Sequence, residues 1–415
     1  MWAILTSICT YKIDLKPILK MNSIKPNPRL IPRFNIDYYT GDFLSSMLHL
    51  DKRSDVGEIA NLFADVSINY TNSGRTSLYI ILKALNLPEN SNIGVSLYTC
   101  PSDFDAIIHA GHNPVFIDIE PDNYTLDPQD LNKKIDDLAA VVVVHALGRP
   151  ADLEGILKVV GDKPVIEDCA HALLSRYKGR LVGTIATAGF FSFRTGKYIS
   201  AGEGGMITTK DLQLASNIGD EIEKLPLLPI TDEIKHATIT YARSLLYHRP
   251  WFGLFSLPLG SRIEEKIDIM NKRSFSKTKI RNTDLHVITK KIKDFQGKVD
   301  KTRNNSLYLI EQLKDLDLIL PVERSETYCN YFLFPIQLKN ISVRDNLSEA
   351  LRKAGFDTIM LFSATPEIAK LSYGYEGDCP ATENVAKRLL VMPNHYTLGK
   401  KELDNICKII KICIR

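Results

Sequence analysis

Residues 139–147 read AAVVVVHAL, a β-branched run with no polar alternation. A strand with one wet face alternates apolar and polar residues. A run that is apolar throughout belongs to a strand covered on both faces. Outward from this run the same pattern repeats. IGVSLYT (93–99) and PVFIDIE (114–120) are strand-like, and helical segments follow them at PSDFDAIIHAG (101–111) and DPQDLNKKI (127–135). Upstream, RTSLYIILKALNL (75–87) places Leu78, Ile81, Leu82 and Leu85 on one helix face. Downstream come the helical DLEGILKVVG (152–161) and the strand-like PVIEDCA (164–170), TAGFFSF (187–193) and GGMITT (204–209). Buried strands alternating with helices predict an α/β fold with a mostly parallel sheet.

The pattern changes beyond about residue 285. A long charged helical stretch runs to Leu313. YFLFPIQL (331–338) and DTIMLF (357–362) then read as strands, and RDNLSEALRKAGF (344–356) and ELDNICKIIKIC (402–413) as helices, with Gly355 placed to end the first. The expected organisation is an N-terminal arm at 1–55, a large α/β domain at 56–290 and a smaller α+β domain at 291–415.

The 52 basic and 49 acidic residues give a net charge of +3 with no long basic tract, so charge does not suggest a nucleic-acid partner. Seven scattered cysteines without a C-x-x-C pair suit neither a disulfide scaffold nor a zinc site, and point to reduced thiols in a cytoplasmic protein. The N-terminus lacks a basic n-region and a long apolar stretch, so no signal peptide is expected, and Met21 is an alternative start. LLYHRPWFGLFSLPLG (245–260) is too short for a membrane span and is broken by Pro250 and Pro258.

FSFRTGKYISAGEGGMITTKD (191–211) ends a strand in Lys197 and follows it with Gly202, Gly204 and Gly205. It is not a phosphate-binding P-loop. Gly189 lies two residues too far upstream, and Tyr198 stands where a Ser or Thr would touch magnesium. The other chemistry of a placed lysine is covalent: its amine condenses with an aldehyde. Pyridoxal phosphate, the usual aldehyde, also needs a carboxylate for its ring nitrogen, a phosphate cup and something to pack on its ring. Asp168, closing PVIEDCA, is the carboxylate candidate; Glu167 alternates to the other face. NSGRTS (72–77) offers a cup where Gly74, Arg75 and Thr76 open a helix. Ser192 is a second phosphate ligand, and Tyr98, Cys100 and His171 are candidates for ring packing. Taken singly, a helix cap, a strand-end charge or a structural histidine would explain several of these residues equally well.

In this order the segments resemble the DegT/DnrJ/StrS family of pyridoxal-phosphate sugar aminotransferases. The resemblance rests on SGRTSLYIILKAL (73–85), AGHNPVFIDIEPDNYTLDPQDL (110–131), HALGRPADLEGI (145–156), PVIEDCAHALLSRYKGRLVGT (164–184) and FSFRTGKYISAGEGGMITT (191–209), with a further match at AKRLLVMPNHYTLGKKELDNI (386–406). It is poor over 1–65 and 210–280. It implies aminotransferase fold type I with a seven-stranded sheet, pyridoxal 5'-phosphate as cofactor, and a homodimer. It also implies transfer of an amino group, from glutamate, to a nucleotide-linked keto-sugar. Lys197 falls at the covalent lysine, Asp168 at the carboxylate, His171 beside the cofactor, and Ser192 and Gly74 at the phosphate. Arg75 stands where many members have Thr or Ser. Cys100 stands where the family has a stacking aromatic, and Lys279 where it has an asparagine that reaches into the partner subunit's site. A dehydratase or amino-aromatic synthase on the same scaffold, and a non-catalytic binding protein, are the alternatives. Family dehydratases carry histidine at the lysine position.

Overall fold

A computed structural model of the chain describes residues 25–52, 54–259 and 275–414. The choice between Met1 and Met21 lies outside them, as does part of the expected arm. The described strands are β1 (Ser67–Thr71), β2 (Asn92–Ser96), β3 (Asn113–Ile117), β4 (Ala140–Val144), β5 (Val165–Asp168), β6 (Arg176–Tyr177), β7 (Arg180–Leu181), β8 (Ala188–Ser192), β9 (Gly205–Thr209), β10 (Thr327–Tyr328), β11 (Phe334–Gln337) and β12 (Leu389–Met392). Seven of them form the central sheet in the order β1-β9-β8-β5-β4-β2-β3. Every pairing from β3 across to β8 is parallel, and β9 runs antiparallel to both β8 and β1. The expected mostly parallel seven-stranded sheet is present.

The unalternating run at 139–147 explains itself in β4, where every residue is buried. Val142 packs with Leu78, Ile81, Phe104 and Ile107 from the helices Gly74–Ala84 and Ser102–His109. Val141 and Val143 pack on the opposite face with Leu131 and Ile156, from the helices Pro128–Lys134 and Leu153–Val160. Each such side chain withdrawn from water contributes about 1.5–3 kcal/mol, so both helix layers are held by the same strand.

A separate apolar cluster surrounds the antiparallel pair β11–β12 and the helices Phe295–Leu313, Ile341–Lys353 and Lys400–Ile414. Gly355 follows the middle helix with φ +95°, as its placement suggested. Two expectations need correction. The charged stretch to Leu313 is two helices, Asn282–Ile292 and Phe295–Leu313. DTIMLF is not a strand: only Ile359 bridges to Val391, and Phe362 turns the chain with φ +57° before a helix starts at Thr365. β12 fills the place beside β11 instead.

The described part of the arm is firmly docked. Ile31 exchanges backbone hydrogen bonds with Gly355 and Asp357, and Arg33 pairs with Asp357 at 2.7 Å. Within 210–280 the chain forms the helices Leu212–Glu223 and Ile230–Tyr247, the second of which packs on the arm's helix Thr40–Met47.

Candidate active site

β1, β2, β4, β5 and β8 all point the same way, and the loops leaving their C-terminal ends meet at one sheet edge. That edge is where open α/β sheets place ligands. β1 leads into Asn72, Ser73 and Gly74. β2 leads to Cys100, β5 ends in Asp168, and β8 leads to Lys197.

The glycine loop exists to seat one of these loops against another. Gly204 donates its amide to Asn72 O at 2.8 Å and bridges to Ser73. A Cβ at Gly205 would lie 2.4 Å from Ser73 O and 2.5 Å from Ser77 Oγ, so any side chain there would push the two strands apart. The backbone thus brings Ser73 and Gly74 beside β8. A Cβ on Gly74 would stand 3.0 Å from Ser192 Cβ and 3.5 Å from Ser192 Oγ, and the hollow between them depends on its absence. Ser73 caps the helix by accepting the Thr76 amide at 3.2 Å, while the remaining first-turn amides have no carbonyl inside the helix. Arg75 sits alongside, 3.7 Å from Asp105. Positive helix end, two serine hydroxyls and a nearby guanidinium make a cup with phosphate chemistry.

Lys197 lies in a tight turn after β8. Its amide donates to Arg194 O at 2.9 Å, and Ser200 Oγ donates to its carbonyl at 3.1 Å. The next residue, Tyr198, donates its hydroxyl to Asn330 O and fixes the turn to the C-terminal part of the chain. Burial lowers the Lys197 amine to about 8, helped by Arg194 and opposed by Asp168 and Asp103. An amine held there becomes neutral above about 8, far below the range of a free lysine, and the neutral form is the one that attacks a carbonyl.

Asp168 is 5% exposed at the end of β5 and accepts the Ala170 amide at 2.8 Å. Burial raises its carboxyl, while Ala170, Lys197, His145 and Asp103 pull it back. Glu167 faces away, as alternation demands. It accepts the amides of Gly183, Ile185 and Ala186 and pairs with His145 Nε2 at 3.0 Å, which locks loops on the far side of β5.

The three candidates for ring packing part company. His171 is held far below its usual range by burial and by the charges of Lys197 and Arg194. It is a neutral ring next to the lysine, resting near Phe332 and Phe362. Tyr98 is drawn away. It is fully buried, its hydroxyl donates to Leu361 O at 3.1 Å, and its ring meets Phe362 edge-on, leaving no free face for a cofactor. Cys100 is half-buried just ahead of the helix Ser102–His109 and is disulfide-bonded. The expectation of reduced thiols holds for Cys169, Cys329, Cys379, Cys407 and Cys413 and fails at Cys100. Lys279 pairs with Glu223 at 2.6 Å.

Two residues at the site were passed over in the sequence. Asp103 lies in the first turn of Ser102–His109, where an acidic residue looks like a simple helix-end charge. Its carboxyl is instead 4% exposed, accepts the Thr99 hydroxyl at 2.7 Å and faces Asp168. Arg194 stands inside FSFRTGK, three residues before the lysine, and it is the cation that acts on both Lys197 and His171.

The family model described as the DegT/DnrJ/EryC1/StrS aminotransferase family matches residues 59–411. The chain is 25% identical over 346 residues to the UDP-N-acetyl-3-dehydro-alpha-D-glucosamine 3-aminotransferase of Acidithiobacillus ferrooxidans, covering 82% of each chain. It superposes on the sugar aminotransferase CalS13 of Micromonospora echinospora with a TM-score of 0.73 at 19% identity, over 92% of this chain and 100% of that one. It superposes equally well on E. coli GDP-4-keto-6-deoxy-D-mannose-3-dehydratase with bound hydrated pyridoxal phosphate, TM-score 0.73 at 18% identity, over 94% and 100%. At these identities the two superpositions speak for the fold.

Proposed function

The chain belongs to the DegT/DnrJ/EryC1/StrS aminotransferase family and is a pyridoxal-phosphate-dependent transaminase, and from that premise we propose that it moves an amino group from glutamate to a keto-sugar carried on a nucleotide. Lys197 carries the reading. It is an amine without an ion pair among the described residues, lowered to about 8 and set between a phosphate cup and a buried carboxylate. The relative that acts on a UDP-linked keto-sugar supports the acceptor class. The dehydratase shares the fold, but Lys197 stands where family dehydratases carry histidine.

The residues fit the cofactor. Gly74, Ser73, Thr76, Ser192 and Arg75 would hold the phosphate, Asp168 the ring nitrogen, His171 one side of the ring, and Lys197 the aldehyde carbon. When bound, the cofactor supplies that aldehyde and a ring that withdraws electrons from the reacting carbon. Asp168 would hold a proton at that ring nitrogen. The Lys197 amine would take the proton from the donor's α-carbon and later give it back. The same amine runs the reverse transfer onto the keto-sugar. Phe332 and Phe362, beside His171, help exclude water. A homodimer, and the division of the chain near residue 290, belong to the same proposal. Among the described residues no helix is long and apolar enough to cross a membrane.

The test is optical. Glutamate added to the purified holoenzyme bleaches the visible cofactor band, and the matching nucleotide-linked keto-sugar restores it. Borohydride followed by peptide mass analysis places the cofactor on Lys197. A band indifferent to glutamate removes the donor, and cofactor fixed to another lysine removes the site.

A further inference from the structure

The helix Ile230–Tyr247, in a region where the sequence resemblance is poor, crosses the glycine loop. Gly202 has φ +110°, and a Cβ there would stand 2.7 Å from Thr240 Oγ1, 2.7 Å from His236 Nε2 and 3.1 Å from Asp284 Oδ1. Basic side chains gather around this contact. Arg281 is committed, to Glu203 at 2.7 Å and to Asp284 at 3.6 Å. Arg75 is committed to Asp105. Arg194 and Arg243 are not: among the described residues neither guanidinium has a hydrogen bond or an ion pair, and the Arg243 Nε is buried without an acceptor. Thr240 is 1% exposed, and its hydroxyl also lacks a partner.

These guanidiniums repel one another. Arg194 is lowered to about 10 by burial and by Arg75, with Glu203 opposing and Arg243 adding to the shift. Arg243 is lowered by burial, again with Glu203 opposing. Like charges withdrawn from water, with donors left open, are costly unless an anion comes between them. The guanidinium fork matches phosphate oxygens in pairs.

We propose that Arg194, Arg243 and Thr240 form an anion subsite beside the phosphate cup, and that it takes the diphosphate of a nucleoside-diphosphate-linked sugar. This rests on the acceptor reading above. The cup around Gly74 and Ser192 serves the cofactor's monoester. Arg243 and Thr240 come from a different helix, across Gly202, and serve the second phosphate-bearing ligand. Glu203, tied to Arg281, limits the positive charge when the subsite is empty.

Calorimetric titration of the holoenzyme with UDP, GDP and inorganic pyrophosphate tests this. All three bind and compete with one another. Arg243→Gln weakens them about tenfold or more, the loss of one charged hydrogen bond, and leaves the cofactor content unchanged. Arg243→Lys, which keeps the charge without the fork, falls between; Thr240→Val weakens binding less. Pyrophosphate binding unaltered by Arg243→Gln overturns the subsite. So does loss of cofactor from that variant with diphosphate affinity intact, which would assign Arg243 to the cofactor's own phosphate. Glutamate bleaching, run on the same preparation, separates the two readings. No diphosphate binding in an enzyme that still bleaches overturns the subsite alone. Diphosphate binding in an enzyme inert to glutamate supports the subsite and removes the transaminase cycle.

Discussion

Asp103, in the first turn of the helix Ser102–His109, faces Asp168 at the end of β5, and both carboxyls are buried beside the Lys197 turn. Two carboxylates this close in a dry site do not both ionise, so the pair holds a proton. Asp103 is the one raised well above the usual carboxylate range, by burial and then by Asp168, with the Thr99 hydroxyl and Lys197 opposing.

Asp103→Asn keeps the shape, with an amide oxygen for Thr99 and an amide N–H for Asp168. A carboxyl raised in the fold costs stability above its unfolded value, because the unfolded chain releases that proton more readily. The apo variant therefore melts above wild type at neutral pH, and the gap closes toward pH 4 as both states of wild type hold the proton. Equal melting temperatures at pH 7 would mean that Asp103 is ionised and the pair does not share a proton.

Lys197 predicts a pH dependence of its own. Its amine is charged below about 8 and neutral above. The rate at which apoprotein captures the aldehyde cofactor rises with pH and levels off past that value. Because the folded value is depressed, the matching stability is complete above the unfolded lysine range and is lost as pH falls through about 8. Arg194→Gln removes a depressing charge and moves the midpoint upward. A midpoint near that of a free lysine in wild type would show that burial does not tune this amine.

Two glycines give opposite outcomes. Gly205→Ala sets a methyl 2.4 Å from a backbone oxygen that cannot rotate away, so it costs about 1–3 kcal/mol and loosens the cofactor's phosphate cup. Gly219→Ala, in the helix Leu212–Glu223 with nothing within 4 Å, stabilises by about 0.4–1 kcal/mol. Melting curves and cofactor titrations of the pair check this. An unaffected Gly205→Ala would mean the loop does not rest on Ser73.

The sheet was legible because its strands are buried on both faces. AAVVVVHAL admits hardly any other reading, and Lys197 stands out because a glycine loop follows it. What the sequence withheld depends on contacts between distant segments. Tyr98 looked available for ring packing, yet its hydroxyl is claimed by Leu361, 263 residues away. Asp103 belongs to no motif, and only the fold sets Asp168 opposite it. Arg243 sits where no motif applies, and only the fold brings its helix across Gly202. The arm is proline-dotted and polar, and nothing local shows that Ile31 and Arg33 bind it to Gly355 and Asp357.

That arm supplies the last prediction. Lys291, in the helix Asn282–Ile292, is 9% exposed, and its ammonium lies 3.3 Å from Asp37 and 2.9 Å from Asp42. Lys298 and Lys290 reach the same carboxylates from the solvent side, at 2.7 and 3.1 Å. Burial pushes the Asp42 carboxyl up, but Lys291, the Tyr39 amide and Lys290 together outweigh it and hold it below the usual range. Lys291→Met leaves two buried carboxylates without their shared cation, at a cost of about 3–5 kcal/mol. A depressed carboxyl stabilises above its unfolded value and loses that contribution as pH falls through the folded one. The melting deficit of Lys291→Met is thus largest at neutral pH and shrinks in acid, where the Asp42 carboxylate takes up a proton. Adding Asp42→Asn to Lys291→Met recovers part of the loss, because the two changes act on one contact and do not add. A deficit that stays constant from pH 7 to pH 3 would assign the effect to packing of the lysine stem instead of its charge.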